Sequence, residues 1–206
     1  MLLAIDTSAG TSVAVVDLDA GIITEHSSDD TRRHAEVIGE LFAACLADIP
    51  GGVTVLSGVV AGMGPGPFTG LRVGIAAARA FAVGAGRIVV PIASHDAVAY
   101  GATEPVVVVT DARRKEVFWS AYAGSDDAGL PIRTHGPSLA PASELASHVA
   151  GFENYRVIEA TSVSAGALGM VAEKLYANGR PFAADEPLYL RSPDVTISAG
   201  PKRVTS

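Results

Sequence analysis

Apolar residues fall along this chain in two rhythms. Short apolar runs closed by turn residues mark strands, and three- and four-residue spacings mark helices. Residues 2–5 run apolar into Asp6, and strands over 11–16 and 21–26 follow across Gly10 and the Asp19-Ala20-Gly21 turn. Residues 34–46 put Ile38, Leu41, Phe42, Cys45 and Leu46 on one helical face, and Pro50-Gly51-Gly52 ends that helix. Residues 59–61 are an apolar run between glycines, the pattern of a strand covered on both faces. Gly62, Gly64, Pro65, Gly66 and Pro67 then turn the chain into a helix over 70–83, with Thr69 as its N-cap. A strand over 88–92 and a short helix over 94–100 follow. Near 101–104 the pattern restarts, with strands over 106–110, 116–122 and 132–137. A short helix over 141–149, a strand over 156–158 and a helix over 165–178, stopped by Gly179 and Pro181, complete it. The last ten residues are expected to be loose.

This order implies an α/β chain of two subdomains, 1–101 and a smaller 102–206, each with a mixed sheet flanked by helices. The two halves open alike. Leu2-Leu-Ala-Ile-Asp6, turn, strand matches Val107-Val-Val-Thr-Asp111, turn, strand. Such a likeness is expected where two related domains face each other across a cleft.

The helix over 70–83 is apolar nearly all round. Its only charges, Arg72 and Arg79, are seven residues apart and share one narrow stripe. A helix resting on a sheet needs one apolar face, so this one is buried on more than one side. Either its own domain encloses it or a partner chain packs against it; the second is favoured, since its many alanines let another helix approach closely.

Composition narrows the function. Of 206 residues 49% are apolar and 18% charged, the formal net charge is −7, and one cysteine, Cys45, falls within a helical apolar pattern. Apolar runs break before the length a membrane crossing needs. The start lacks a basic region and cleavage site, and with a single cysteine a cytoplasmic protein is expected. Tight RNA binding by the isolated chain is not expected, because nucleic-acid affinity comes largely from neutralised phosphates.

Asp6 and Asp111 end equivalent strands. They either hold a metal-bound phosphate across a cleft, with Gly10 leaving room for backbone amides, or accept local amide bonds as turn formers. The second turn, Ala112-Arg113-Arg114-Lys115, is bulky and lacks glycine, so one half of a nucleotide cradle is altered. The glycine-proline turn matches neither a dinucleotide fingerprint nor a P-loop. None of the histidines is spaced as a zinc pair, and no serine lies in a nucleophile elbow. His34 opens a helix as a capping or surface residue. No complete catalytic set and no metal or cofactor site emerges.

Several motifs, in order, resemble one family. They are Ile5-Asp6-Thr7-Ser8, His34-Ala35-Glu36, Gly64-Pro-Gly-Pro-Phe-Thr-Gly-Leu-Arg72, Asp111-Ala-Arg113 with Glu116-Val-Phe-Trp119, and Pro187-Leu-Tyr-Leu-Arg191. Together they resemble TsaB (YeaZ), across nearly the whole chain. The resemblance implies an actin-like (ASKHA) fold. It also implies a non-catalytic role: activating a TsaD-type subunit that transfers threonylcarbamoyl to the adenosine beside the anticodon of ANN-decoding tRNAs. A TsaE-type ATPase is the further implied partner, tRNA is met only through the complex, and a homodimer forms when the chain is alone. The catalytic relative's metal pair corresponds here to His95 and Ala99, so one ligand is missing. The partner interface implied is Ile38, Leu41 and Phe42 with Leu71, Gly74, Ile75, Ala77, Ala78 and Phe81, and an arginine at Ala78 or Ala77 is expected to block docking. A small ATP-dependent phosphotransferase is the alternative, and a peptidase a remote one.

Overall fold

Two sheets of matching topology organise the chain, of which the computed structural model describes residues 1–30 and 33–191. In the first sheet β1 (Leu2–Asp6), β2 (Thr11–Asp17) and β3 (Gly21–Ser28) form an antiparallel meander. β4 (Gly58–Gly62) and β5 (Ile88–Ile92) add in parallel on the other side of β1, giving the order β3-β2-β1-β4-β5. α1 (His34–Ala47) and α2 (Phe68–Ala85) are the crossovers, and α3 (Ser94–Ala99) leads out. In the second sheet β6 (Val106–Asp111), β7 (Glu116–Ser125), β8 (Pro131–Pro141) and β9 (Arg156–Glu159) take the order β8-β7-β6-β9. β6 pairs antiparallel with β7 and parallel with β9, as β1 does with β2 and β4. The likeness of the two openings is therefore a likeness of topology.

Side chains alternate across a strand, so β1 sends Leu3 and Ile5 to one face and Ala4 to the other. Leu3 and Ile5 join Val13, Val15 and Val59 beneath α1 and α2. Ala4, Ala14 and Val60 meet Leu168, Val171 and Ala172 of the last helix, α5 (Ala165–Ala177). α5 follows the second sheet in sequence yet covers the first. Its Gly169 permits this approach, because a Cβ there would lie 2.7 Å from Val16. Beyond α5, residues 181–191 run back as a strap. Ala183 N–H donates to Pro91 O at 3.1 Å, Leu188 N–H to Met63 O at 2.8 Å, and Arg191 Nη1 to Ala112 O at 2.8 Å.

Three local expectations are corrected. Thr69 does not cap α2. The helix starts at Phe68, two residues earlier than expected, and Thr7 serves its start, donating its hydroxyl to Gly70 O at 2.7 Å and accepting Gly74 N–H at 3.1 Å. Residues 141–149 form a 3-10 turn, Ala142–Glu144, and one turn of helix, α4 (Leu145–His148), instead of a full helix. Reading apolar runs also understates α2, which is long and apolar enough to cross a membrane by length and composition. Its Leu71, Ile75, Ala78 and Ala82 instead pack on the sheet. The expectation for the last ten residues falls outside the described residues.

Candidate functional site

The inner face of α2 is set by how closely it must approach the β1–β2 turn. A Cβ at Gly74 would sit 2.2 Å from Thr7 Oγ1, and one at Gly70 would sit 2.7 Å from Thr7 O. Gly70, Leu71, Gly74, Ile75 and Ala78 are all buried, as is Ile38 of α1. This corrects the expected interface: Ile38, Leu71, Gly74, Ile75 and Ala78 belong to the core of this chain and present nothing outward. Leu41, Phe42, Ala77 and Phe81 are half-buried along the seam between α1 and α2. The rings of Phe42 and Phe81 stack there with centroids 5.2 Å apart.

The outward surface is made of other residues. Ala76, Ala80 and Val83 of α2 are exposed, Val83 at 83%, together with Ala35, Gly39 and Ala43 of α1. Helix phase could have found them. Arg72 and Arg79 mark the outer stripe of α2, and Ala76, Ala80 and Val83 lie one or four positions from them. The outer face of the pair is therefore small, apolar and open, with Glu36 and Glu40 as exposed charges on α1. Arg79 is engaged by the strap through a 2.8 Å ion pair with Asp185.

The cleft between the sheets is about 290 Å³ and is lined by Ser8, Ala9, Asp29, Pro67, Asp111, Arg113, Ala160 and Thr161. Asp6 is not among these residues. Its carboxylate is buried and accepts Ser8 N–H at 2.7 Å, the Ser8 hydroxyl at 2.5 Å and the Ser94 hydroxyl at 2.5 Å. Burial raises its pKa above the ordinary 3.8, against the opposing effect of these donors. A Cβ at Gly62 would overlap the carboxylate, at 1.9 Å from Oδ2. Asp111 is exposed and accepts Arg113 N–H at 2.8 Å. Both aspartates thus make the local bonds of turn formers, and Asp111 lines the cleft while Asp6 does not. Gly10, at φ +70°, is backed by Ser28 O, 3.0 Å from where its Cβ would be. Arg113, Arg114 and Lys115 all take positive φ, of 65°, 54° and 64°, a conformation that costs each about 1–2 kcal/mol.

The remaining polar groups are tied down as well. His34 is buried, not on the surface, and its Nδ1 lies 2.7 Å from the Thr11 hydroxyl. His95 is enclosed between Ser120 Oγ, 2.8 Å from Nδ1, and Thr110 Oγ1, 3.0 Å from Nε2. Burial, with a contribution from Arg133, drives its pKa from 6.5 to about 3, so it stays neutral. Ala99 beside it is buried in a second apolar cluster. Asp96 accepts the Tyr122 hydroxyl at 2.8 Å and pairs with Arg133 at 3.4 Å. Cys45 donates to Val13 O at 3.1 Å, and burial raises its thiol to about 11. Among the described residues no three His, Cys, Asp or Glu side chains gather as a metal site requires.

Comparison with known proteins places this architecture. The profile of the family described as "TsaD: tRNA N6-adenosine threonylcarbamoyltransferase" matches residues 19–128. An uncharacterized protein of Mycobacterium tuberculosis is 37% identical over 203 residues, covering 94% of this chain and 92% of its own length. The tRNA threonylcarbamoyladenosine biosynthesis protein TsaB of Haemophilus influenzae is 36% identical over 124 residues, 58% of this chain and 52% of that protein. Its Escherichia coli counterpart is 31% identical over 134 residues, 63% and 57% of the two chains. The solved structure of YeaZ from Pseudomonas aeruginosa superposes with a TM-score of 0.73 at 23% identity, covering 92% of this chain and 99% of that one. The fold is the actin-like one, in two subdomains.

Proposed function

The chain belongs to the family of TsaD-like proteins that includes TsaB (YeaZ), and we propose that it serves tRNA threonylcarbamoyladenosine biosynthesis as a non-catalytic subunit. In this reading it binds a TsaD-type catalytic subunit through the outer face of α1 and α2 and holds it in its active arrangement. A TsaE-type ATPase joins the assembly, tRNA is met only there, and the same face makes a homodimer when the catalytic subunit is absent. The setting is the cytoplasm.

One observation carries this reading. Ala35, Gly39 and Ala43 of α1 and Ala76, Ala80 and Val83 of α2 are left exposed. Removing apolar area from water is the main drive for association, and small residues allow helices to approach closely. α1 and α2 contribute 14 and 18 residues, about 21 and 27 Å of helix, a scale that suits one side of an interface of roughly 1,600 Å². The reading is also supported by Asp6, whose carboxylate is spent on Ser8 and Ser94 instead of facing the cleft. That arrangement weighs against the phosphotransferase alternative.

The test is co-elution with a TsaD-type subunit on size exclusion. The unsubstituted chain is expected to co-elute, and Ala76→Arg and Ala80→Arg are expected to elute apart from the subunit while remaining folded. Co-elution of both variants at the unsubstituted level would remove the α1–α2 face from the account.

A further inference from the structure

Arg113, Arg114 and Lys115, in the hairpin between β6 and β7, are the only described residues other than glycine with positive φ. Glycine and asparagine take that conformation most easily, yet the turn carries three cations, all of them exposed. The hairpin closes on itself through Ala112 N–H to Glu116 O at 3.0 Å and Glu116 N–H to Arg113 O at 3.0 Å. The three side chains are thus held out from a short, tied turn.

The strap extends this surface. Arg191 donates to Ala112 O and pairs with Glu116 at 3.5 Å. Two residues earlier Tyr189, 40% exposed, leans on Phe68 with centroids 4.7 Å apart. Arg72 lies 3.7 Å over the Phe68 ring and donates Nε to the Tyr189 hydroxyl at 3.3 Å. Arg72, Arg113, Arg114, Lys115 and Arg191 therefore follow one another around a single rim, joined by contacts. They are five of the chain's fifteen Lys and Arg residues, in a protein of net charge −7. Asp111 lies 3.8 Å from Arg113, and Glu116 lies 3.5 Å from Arg191.

We infer that this rim is an RNA contact, engaged when the assembled complex holds its tRNA. The inference rests on the function proposed above, which supplies the tRNA. Cations on a tied hairpin suit backbone phosphates, whose neutralisation releases counterions and gives a steep salt dependence. The exposed Tyr189 ring, with Phe68 and Arg72 beneath it, is a platform on which one unstacked base can lie. The negative charge of the remaining surface accounts for the rim acting only when a partner subunit supplies the rest of the footprint.

The experiment uses the complex of the full chain with a TsaD-type subunit and measures tRNA affinity across a salt series, with co-elution followed in parallel. The hairpin variant is Arg113→Gly with Arg114→Asn and Lys115→Gly, residues that keep the positive-φ turn while removing its charge. The complex is expected to assemble as before, to bind tRNA about tenfold or more weakly, and to lose about two to three from the slope of log K against log salt. Tyr189→Ala is expected to weaken tRNA binding a few-fold with the slope unchanged, the mark of stacking. Unchanged affinity and slope in an intact complex overturns the inference and leaves the proposed function standing. Loss of a protein subunit from the hairpin variant also overturns it, by assigning the rim to a protein contact. If the unsubstituted chain does not assemble, the proposed function falls and the inference falls with it.

Discussion

Phe42 and Phe81 stack at 5.2 Å with their planes 22° apart, across the seam between α1 and α2. The inner faces of both helices share the Leu3–Ile5 side of the first sheet. Truncating Phe42 or Phe81 to alanine is expected to cost about 1–3 kcal/mol, below the fully buried value because both rings are half-exposed. The double variant is expected to cost less than the sum, by about 1 kcal/mol for the ring pair. Urea melts of the four chains give the coupling directly.

Neighbouring alanines on α2 are expected to separate folding from docking. Ala78 is fully buried, so Ala78→Arg forces a charge into the core and is expected to destabilise by more than about 3 kcal/mol. Ala80→Arg, two residues on and exposed, is expected to leave stability within about 0.5 kcal/mol. A thermal melt beside size exclusion reads both effects.

His95 sets an acid limit on stability. Its ordinary pKa is 6.5 and the fold holds it at about 3, so below 6.5 the unfolded chain takes up a proton that the folded chain refuses. Stability from this residue is complete above 6.5 and is lost as pH falls toward 3, by roughly 2–3 kcal/mol at pH 4.5. Asp6 works in the opposite sense. Its raised pKa favours the folded state as pH falls from that raised value toward the ordinary 3.8. His95→Gln is expected to lower stability at pH 7 and flatten the acid limb, as measured by denaturant melts at pH 4.5 and 7.

ATP distinguishes the cleft from a kinase site. Asp6 faces Ser8 and Ser94, so Asp6→Asn is expected to lower the melting temperature through the lost charge-assisted bonds. Calorimetric titration with magnesium-ATP is expected to give no micromolar binding for either chain. Micromolar binding that Asp6→Asn abolishes would restore the phosphotransferase reading.

Much of the fold was legible because its signals are local. Alternation in β1, β2 and β6, the glycines bounding β4 and the repeat of Asp6 by Asp111 each lie within a few residues, and the strands fell within two residues of where they were expected, except that β7 runs on to Ser125 and β8 to Pro141. The site was less legible, because what settles it acts at long range. Gly74 reads as part of a partner interface, but Thr7, sixty-seven residues before it, occupies that space. Arg79 reads as a solvent-facing charge, but it meets Asp185 from 106 residues away. The outer alanines were within reach of helix phase, once the arginine stripe is taken as the outward direction. The burial of His34 had no such signal, since it depends on Thr11 and on the packing of α2 beside it.

The most direct measurement is threonylcarbamoyl transfer to tRNA by a TsaD-type subunit and its ATPase, with and without this chain. Transfer is expected to depend on the chain, to fall at least tenfold with Ala76→Arg, and to be absent when the chain is assayed alone. Transfer at full rate without the chain, or with the Ala76→Arg variant in its place, would contradict the account.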